Sequence, residues 1–412
     1  MATFRPFRAL RPTIEASSRV ASRPYDVLNS KEARIEADGN PVSFLQVIKP
    51  EINLPPGIDP YSEEVYLQGK KKLTEFLNEG IFIQDSKACF YVYRLTMDGR
   101  SQTGIVGCCS CNEYYEGKIR KHELTRTIKE NDRVRHINTQ NANAEPVFFS
   151  YRAEHSIDHM VKEIMTDQSE YDFVAEDGVR HELWVVEDER RIEIIEQKLL
   201  SVESLYVADG HHRTAAAARV GRQRKEQNPS HTGEEEYNFF MAVLFPEDQL
   251  KIFDYNRVVR DLNGLKPNDF LNELSEVFEI TKLIEAKSPS RKGIISTYLD
   301  RQWYELKVKN RHATSNPKDD LDVTLLSRLV LEPILGIQDL RKDDRIDFVG
   351  GIRGLSELEK RVDSGEMALA FALYPVSMEE LLAIADIGEI MPPKTTWFEP
   401  KLRSGLFIHD LE

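Results

Sequence analysis

The chain has little cysteine, with four in 412 residues, and Cys89, Cys108, Cys109 and Cys111 all fall within one short region. That clustering is unlike the spread of a secreted disulfide framework. Cys108-x-x-Cys111 has metal-ligand spacing, but no second cysteine pair and no nearby His-x-x-x-His supplies the remaining ligands of a tetrahedral site. Four reduced, packed cysteines are the expectation. No apolar run approaches the roughly 20 residues that span a bilayer, and Met1-Ala-Thr-Phe-Arg lacks the apolar core of a signal peptide. The chain is therefore expected in the cytoplasm, without a membrane partner. It also lacks an excess of positive charge. A formal charge of −14 and the absence of a helix-turn-helix pattern argue against nucleic acid as a partner, although a local basic site inside an acidic protein stays open. A small-molecule ligand ranks first, and a homo-oligomer is left open.

What is present is 41% hydrophobic residues, enough to bury two or three cores in a chain of this length. The pattern is mixed α/β (α+β) without repeats. Residues 1–60 are proline-rich with few periodic runs and read as an extended N-terminal segment laid over other elements. Residues 61–265 form the expected core. It opens with a helix from Glu63 to Asn78 ended by Gly80, then a hairpin of Cys89–Thr96 and Gln102–Cys109 joined through Asp98-Gly99. Helices Ser156–Met165 and Asp188–Leu200 flank a strand Glu182–Val186. Phe239–Phe245 reads as a strong strand with Leu250–Tyr255 beside it. Residues 266–412 alternate helix and strand again, as an additional C-terminal α/β domain that closes with a loop from Met391.

Residues 206–219 read Tyr-Val-Ala-Asp-Gly-His-His-Arg-Thr-Ala-Ala-Ala-Ala-Arg. Leu205 to Ala208 is a short buried strand and Ala215 to Ala218 is strong helix-forming material, so Asp209-Gly210 is a strand-to-helix turn. First-turn amides have no intrahelical partner and the helix dipole is positive there, so acidic side chains are the usual choice. Here His211, His212 and Arg213 stand instead. A bound anion resolves the conflict: Gly210 lets the backbone approach, the two imidazoles and the guanidinium donate to phosphate oxygens, and Asp209 holds Mg²⁺ or takes a proton. On this reading Arg213 contributes no core packing. The alternative is a capping Asp209 with both histidines in solvent.

Three further sets stand out. In Lys121-His122-Glu123, followed by Arg126, Lys129, Asp132 and Arg133, Glu123 is the best general-base candidate and His122 a helper or ligand, with Arg126 among the groups for a charged substrate; the alternative is a solvated helix face. Prolines 392, 393 and 400 stiffen a loop that could hold Lys394, Thr395, Thr396 and Lys401 toward a phosphate or carboxylate, or could serve as a C-terminal latch. Arg23, Tyr25 and Asp26 could read the ammonium and carboxylate of an amino acid, or form a turn before a helix.

Taken together, Arg23-Pro-Tyr-Asp-Val, Arg120-Lys-His-Glu-Leu-Thr, Ala208-Asp-Gly-His-His-Arg, Tyr255-Asn-Arg-Val-Val and Pro392-Pro-Lys-Thr-Thr-Trp-Phe-Glu-Pro-Lys resemble the family catalogued as domain of unknown function 1015, nearly end to end. Asp-Gly-His-His-Arg in turn resembles the phosphate-binding motif of the ParB/sulfiredoxin-like superfamily, whose relatives include free L-serine kinases. The resemblance implies a ParB/sulfiredoxin-like nucleotide-binding core, with Asn256 and Arg257 joining the substrate-binding set. It implies Mg²⁺-assisted phosphoryl transfer from ATP or ADP to a small hydroxylated metabolite, with free L-serine a candidate acceptor. A ParB-like nucleotide-binding or hydrolysing regulatory protein is the alternative.

Overall fold

The computed structural model describes residues 2–309 and 316–412. The chain divides into two compact units, one of residues 1–121, 125–250 and 400–412, the other of 122–124 and 251–399.

The first unit is built on a nine-stranded mixed sheet. Its order is Ile119–Arg120, Leu205–Asp209, Val147–Tyr151, Phe239–Pro246, Arg100–Ser110, Phe90–Met97, Arg180–Val186 and Tyr171–Val174, with Phe4–Arg5 added to Arg100–Ser110. The hairpin forms as expected because Asp98 and Gly99 both take positive φ, 51° and 76°, the geometry of a tight turn that matches strand twist. The helix Glu63–Asn78 buries Val65, Tyr66, Gly69, Leu73 and Phe76 on one face, starts with two glutamates and stops where Gly80 enters the left-handed region at φ 69°.

Phe239–Pro246 is central: it runs parallel to Val147–Tyr151 and antiparallel to Arg100–Ser110. The expectation that Leu250–Tyr255 lies beside it is therefore corrected. Both edges of Phe239–Pro246 are already occupied, so Ile252–Phe253 pairs with Trp397–Phe398 and Tyr255–Val259 enters the other sheet. The stretch 1–60 supplies short helices Ile14–Val20, Ser30–Ala37 and Leu45–Ile48, and a cluster around Val20, Phe44, Leu45 and Val47. The C-terminal residues return to this unit through Ser404 opposite Ser22, Ile408 opposite Leu10 and His409 opposite Asn143.

The second unit carries a six-stranded antiparallel sheet, ordered Phe278–Lys282, Gln302–Val308, Ile294–Leu299, Leu369–Ala372, Tyr255–Val259 and Ile346–Gly350. Helix Leu355–Asp363 lays Leu358 into the cluster of Val258, Tyr298, Trp303 and Ala370. Within the described residues no helix is long and apolar enough to cross a membrane.

All four cysteines are buried free thiols. Adjacent strand residues face opposite sides of the sheet, so Cys108 and Cys109 cannot share one ligand set there. Cys111 packs under the helix His211–Gln227, where a Cβ on Gly221 would come within 2.8 Å of its sulfur. Burial pushes all four thiols up, which fits a packing role.

Candidate functional site

Strand Leu205–Asp209 ends at the turn singled out by the sequence, and helix His211–Gln227 begins directly after Gly210. Gly210 sits at φ 91°, ψ 31°, a conformation that disfavours a Cβ, and a Cβ there would also press on the Arg213 guanidinium at 3.1–3.2 Å. Ala215, Ala216, Ala217 and Ala218 are all buried, so the helix lies close on its neighbours, and Thr214 bonds back to the Gly210 carbonyl at 3.0 Å. No acidic residue occupies the first turn.

Asp209 is the electrostatic centre of the turn. Lys401 approaches its Oδ1 at 3.4 Å and Arg213 its Oδ2 at 3.2 Å. Burial alone would raise its pKa, but the attraction of Lys401, Arg213 and His211 outweighs that and holds the carboxyl at about 2. His211 is buried. His212 accepts the backbone N–H of Arg126 on Nε2 at 3.0 Å, so that nitrogen carries no proton and Nδ1 is the ring's donor.

Arg213 differs from the reading of the sequence. It is buried at 6% exposure and donates through Nη1 to the Pro146 carbonyl at 2.6 Å. The expectation that it contributes no core packing is thus corrected: the side chain is turned inward and braces the turn against the end of the neighbouring strand. Behind it lies a cavity of about 30 Å³, lined among others by Arg133, His136, Gln140, Glu145 and Arg213.

The sequence did not single out Glu145. Its carboxylate accepts from the Tyr25 backbone at 3.3 Å, Ser404 at 3.1 Å and Arg133 at 3.2 Å, linking the N-terminal segment, the C-terminal return and the helix Thr127–Gln140. An acid and a proline immediately before the apolar run Val147–Tyr151 are the signal that was available. Arg133 also pairs with Asp132 at 2.8 Å and stacks over the buried Tyr25 ring at 3.8 Å. Asp26 is exposed but its charge acts on both Tyr25 and Arg213. Arg23 is ion-paired with Glu36.

The charge run from Lys121 to Arg133 divides. Lys121 lies over Tyr114 and Lys129 over Tyr61, at 4.9 and 5.6 Å from the ring centres. Arg126 uses its backbone as described and its side chain is exposed. His122 and Glu123 belong to the second unit, where His122 Nε2 is 3.3 Å from Thr396 Oγ1. The proline-flanked loop divides too, since Lys401 counts with the first unit and Lys394 and Thr395 with the second. Thr395 donates its hydroxyl to the Pro392 carbonyl at 2.6 Å. Asn256 donates to Asp254 at 2.6 Å and accepts the Leu373 N–H at 3.0 Å. Arg257 donates to the carbonyls of Tyr255 and Lys394.

Among the described residues no group of three or more His, Cys, Asp or Glu comes together as a metal site. Asp209 offers one carboxylate whose two oxygens already face cations, so a protein-built cage for Mg²⁺ does not fit this turn. An ion that stays largely hydrated and rides on substrate phosphates needs one such carboxylate at most.

A family model described as "Protein of unknown function (DUF1015)" matches residues 4–324. No curated protein matches the chain. Among solved structures, a free serine kinase mutant in complex with AMP is similar at 12% identity and a TM-score of 0.38, covering 72% of this chain and 91% of its own. SbnI with a C-terminal truncation, from Staphylococcus aureus, is similar at 12% identity and a TM-score of 0.38, over 73% of this chain and 85% of its own. A conserved hypothetical protein from Pyrococcus furiosus gives 12% identity and 0.35, over 72% and 92%. Likeness at this level transfers neither a site nor an activity.

Proposed function

We propose that this chain, which belongs to the DUF1015 family, binds the phosphates of a nucleotide at the start of helix His211–Gln227. One observation carries the reading: at a helix start with no acidic residue in its first turn, Lys401, His211 and Arg213 all act on a single carboxylate, Asp209. Asp209 itself faces both Lys401 and Arg213, and it stands at the positive end of a 17-residue helix, an arrangement that favours an anion beside it. Lys401 and the Nδ1 of His212 are the side-chain donors, Gly210 keeps the backbone approachable, and Arg213 sets the turn's shape from within.

The finer reading is phosphoryl transfer to a small hydroxylated metabolite, with ATP or ADP as donor, Mg²⁺ as companion of the phosphates and free L-serine as the first acceptor to try. Magnesium would supply charge neutralisation on the phosphates. Within the chain, Asp209 stays ionised throughout the neutral range and Glu123 is the proposed base for the acceptor hydroxyl. The test incubates the protein with nucleotide, Mg²⁺ and a pool of hydroxylated metabolites and looks for a mass gain of one phosphoryl group. Nucleotide consumption that rises with acceptor supports a kinase. Consumption or binding indifferent to every acceptor would favour the regulatory alternative, and no nucleotide binding at all would end both.

A further inference from the structure

Arg213 has three side-chain nitrogens to satisfy, and the turn accounts for two of them. Nη1 donates to the Pro146 carbonyl at 2.6 Å and Nη2 to Asp209 at 3.2 Å, while Nε is buried and has no hydrogen-bond partner among the described residues. His136, on helix Thr127–Gln140, shows the same shortfall: it is 6% exposed, and its Nδ1 is buried without a hydrogen-bond partner among the described residues. Buried polar side-chain atoms are as a rule hydrogen-bonded, so two orphans close together require a cause. Both residues line the cavity of about 30 Å³ behind the turn, together with Gln140, Asn143 and Glu145.

Charge, polarity and size decide what that cavity can hold. Its two arginines already meet carboxylates, Arg133 at Asp132 and Glu145 and Arg213 at Asp209, so each cation has its counter-charge. Burial and the charges of Arg133, Lys49 and Arg135 hold the His136 imidazole well below its usual range, so the ring is neutral at neutral pH and carries one N–H. Asp132 Oδ1 stands 3.7 Å from Nε2 and attracts the proton to that side, which leaves Nδ1 as an acceptor. Arg213 Nε–H can only donate. A ligand that serves both atoms must accept one hydrogen bond and donate another. A hydroxyl does this, whereas an ionised carboxylate cannot donate and an ammonium cannot accept. One water needs roughly 10–15 Å³ of such space, so there is room for about two waters and none for a metabolite.

We propose that this cavity is an internal water site, in which one water, or two in contact, accepts from Arg213 Nε–H and donates to His136 Nδ1. All three nitrogens of the guanidinium are then held, by the Pro146 carbonyl, by Asp209 and by the water, and the turn after Leu205–Asp209 is tied to helix Thr127–Gln140. The inference does not rest on nucleotide binding at the helix start.

The test is a crystal structure of the full chain at a resolution that shows ordered water, determined at neutral pH and again under xenon, which enters dry apolar cavities. The expected result is water oxygen at hydrogen-bond distance, roughly 2.7–3.2 Å, from both Arg213 Nε and His136 Nδ1, with no xenon in the cavity. Xenon there, any other occupant, or either nitrogen without a water would overturn the proposal. Oxygen-17 relaxation dispersion of the dissolved protein counts long-lived internal waters independently. His136→Phe keeps a ring beside Tyr66, where the two rings now meet edge to face at 4.8 Å, and removes the acceptor. The count is expected to fall by at least one in this variant, and an unchanged count would overturn the proposal; if the variant does not fold, the wild-type crystal structure decides.

Discussion

Replacing Arg213 by alanine perturbs the fold before it perturbs any ligand. The guanidinium is buried, gives a charge-assisted bond to the Pro146 carbonyl at 2.6 Å and an ion pair to Asp209 at 3.2 Å, and lies within reach of the charges of Asp26 and Glu145. Removing one partner of a buried pair typically costs about 3–5 kcal/mol, since the other partner is left buried and uncompensated. Asp209 keeps Lys401 at 3.4 Å, and its side chain is 27% exposed, which places the loss toward the lower end. A cost of about 3 kcal/mol is a large share of the 5–15 kcal/mol that holds a domain together. Urea unfolding followed by far-ultraviolet circular dichroism measures it, with Arg213→Lys as the control that retains charge but not both contacts and loses about half as much. A change under about 0.5 kcal/mol in Arg213→Ala would refute the inward, bracing role. Loss of nucleotide binding in this variant alone would not separate contact from folding.

Lys401→Ala makes that separation: it sits at the surface of the same carboxylate, with a side chain 13% exposed, and should cost about 1 kcal/mol or less in stability while nucleotide affinity falls roughly 10–100-fold. Calorimetry showing wild-type affinity would mean the helix start is not the phosphate site. Gly210→Ala forces a Cβ into φ 91° and against the Arg213 guanidinium, an expected loss of about 1–2 kcal/mol in urea unfolding; a neutral outcome would show that the turn can rearrange. The His181 ring, held between Tyr93 at 2.7 Å and Arg403 at 3.2 Å, is pushed down to about 3 by burial and the Arg403 charge. Its folded pKa lies below the unfolded value near 6.5, so the unfolded chain binds the extra proton and stability falls as pH drops from about 6.5 to about 3. His181→Gln should flatten that slope in urea midpoints, and an unchanged slope would assign it to other groups. Glu123→Gln, if Glu123 is the base, keeps nucleotide affinity while turnover drops by roughly 10²–10⁴; equal turnover would remove it from the chemistry.

The elements legible in the sequence are those whose cause is local. The buried stripe of Glu63–Asn78 and its Gly80 stop, the Asp98-Gly99 hairpin and the passage from Leu205–Asp209 into His211–Gln227 each depend on residues within a few positions. Strand Val147–Tyr151 was missed because its partners, Leu205–Asp209 and Phe239–Pro246, are distant in the chain and a five-residue buried run carries no alternation. The loop from Met391 was read as one piece for the same reason. Its division after Glu399 is decided by where Ser404, Ile408 and His409 find strand partners in the first 150 residues, which no local pattern encodes.

The candidate site shows the same limit at the scale of single side chains. Charge against the helix dipole singled out the turn, but it treated His211, His212 and Arg213 as equivalent donors. Asp209 and Arg213 are four residues apart across a left-handed glycine, and that spacing lets the guanidinium fold back over Gly210 and reach the Pro146 carbonyl instead of facing outward. The motif therefore encodes two different things. Asp209, Gly210 and Arg213 fix the shape of the turn from inside, while the cation proposed to meet a ligand, Lys401, comes from 192 residues further along. A turn whose shape is maintained by a buried ion pair can keep its form whether or not an anion is bound, so binding need not await an ordering step at that turn.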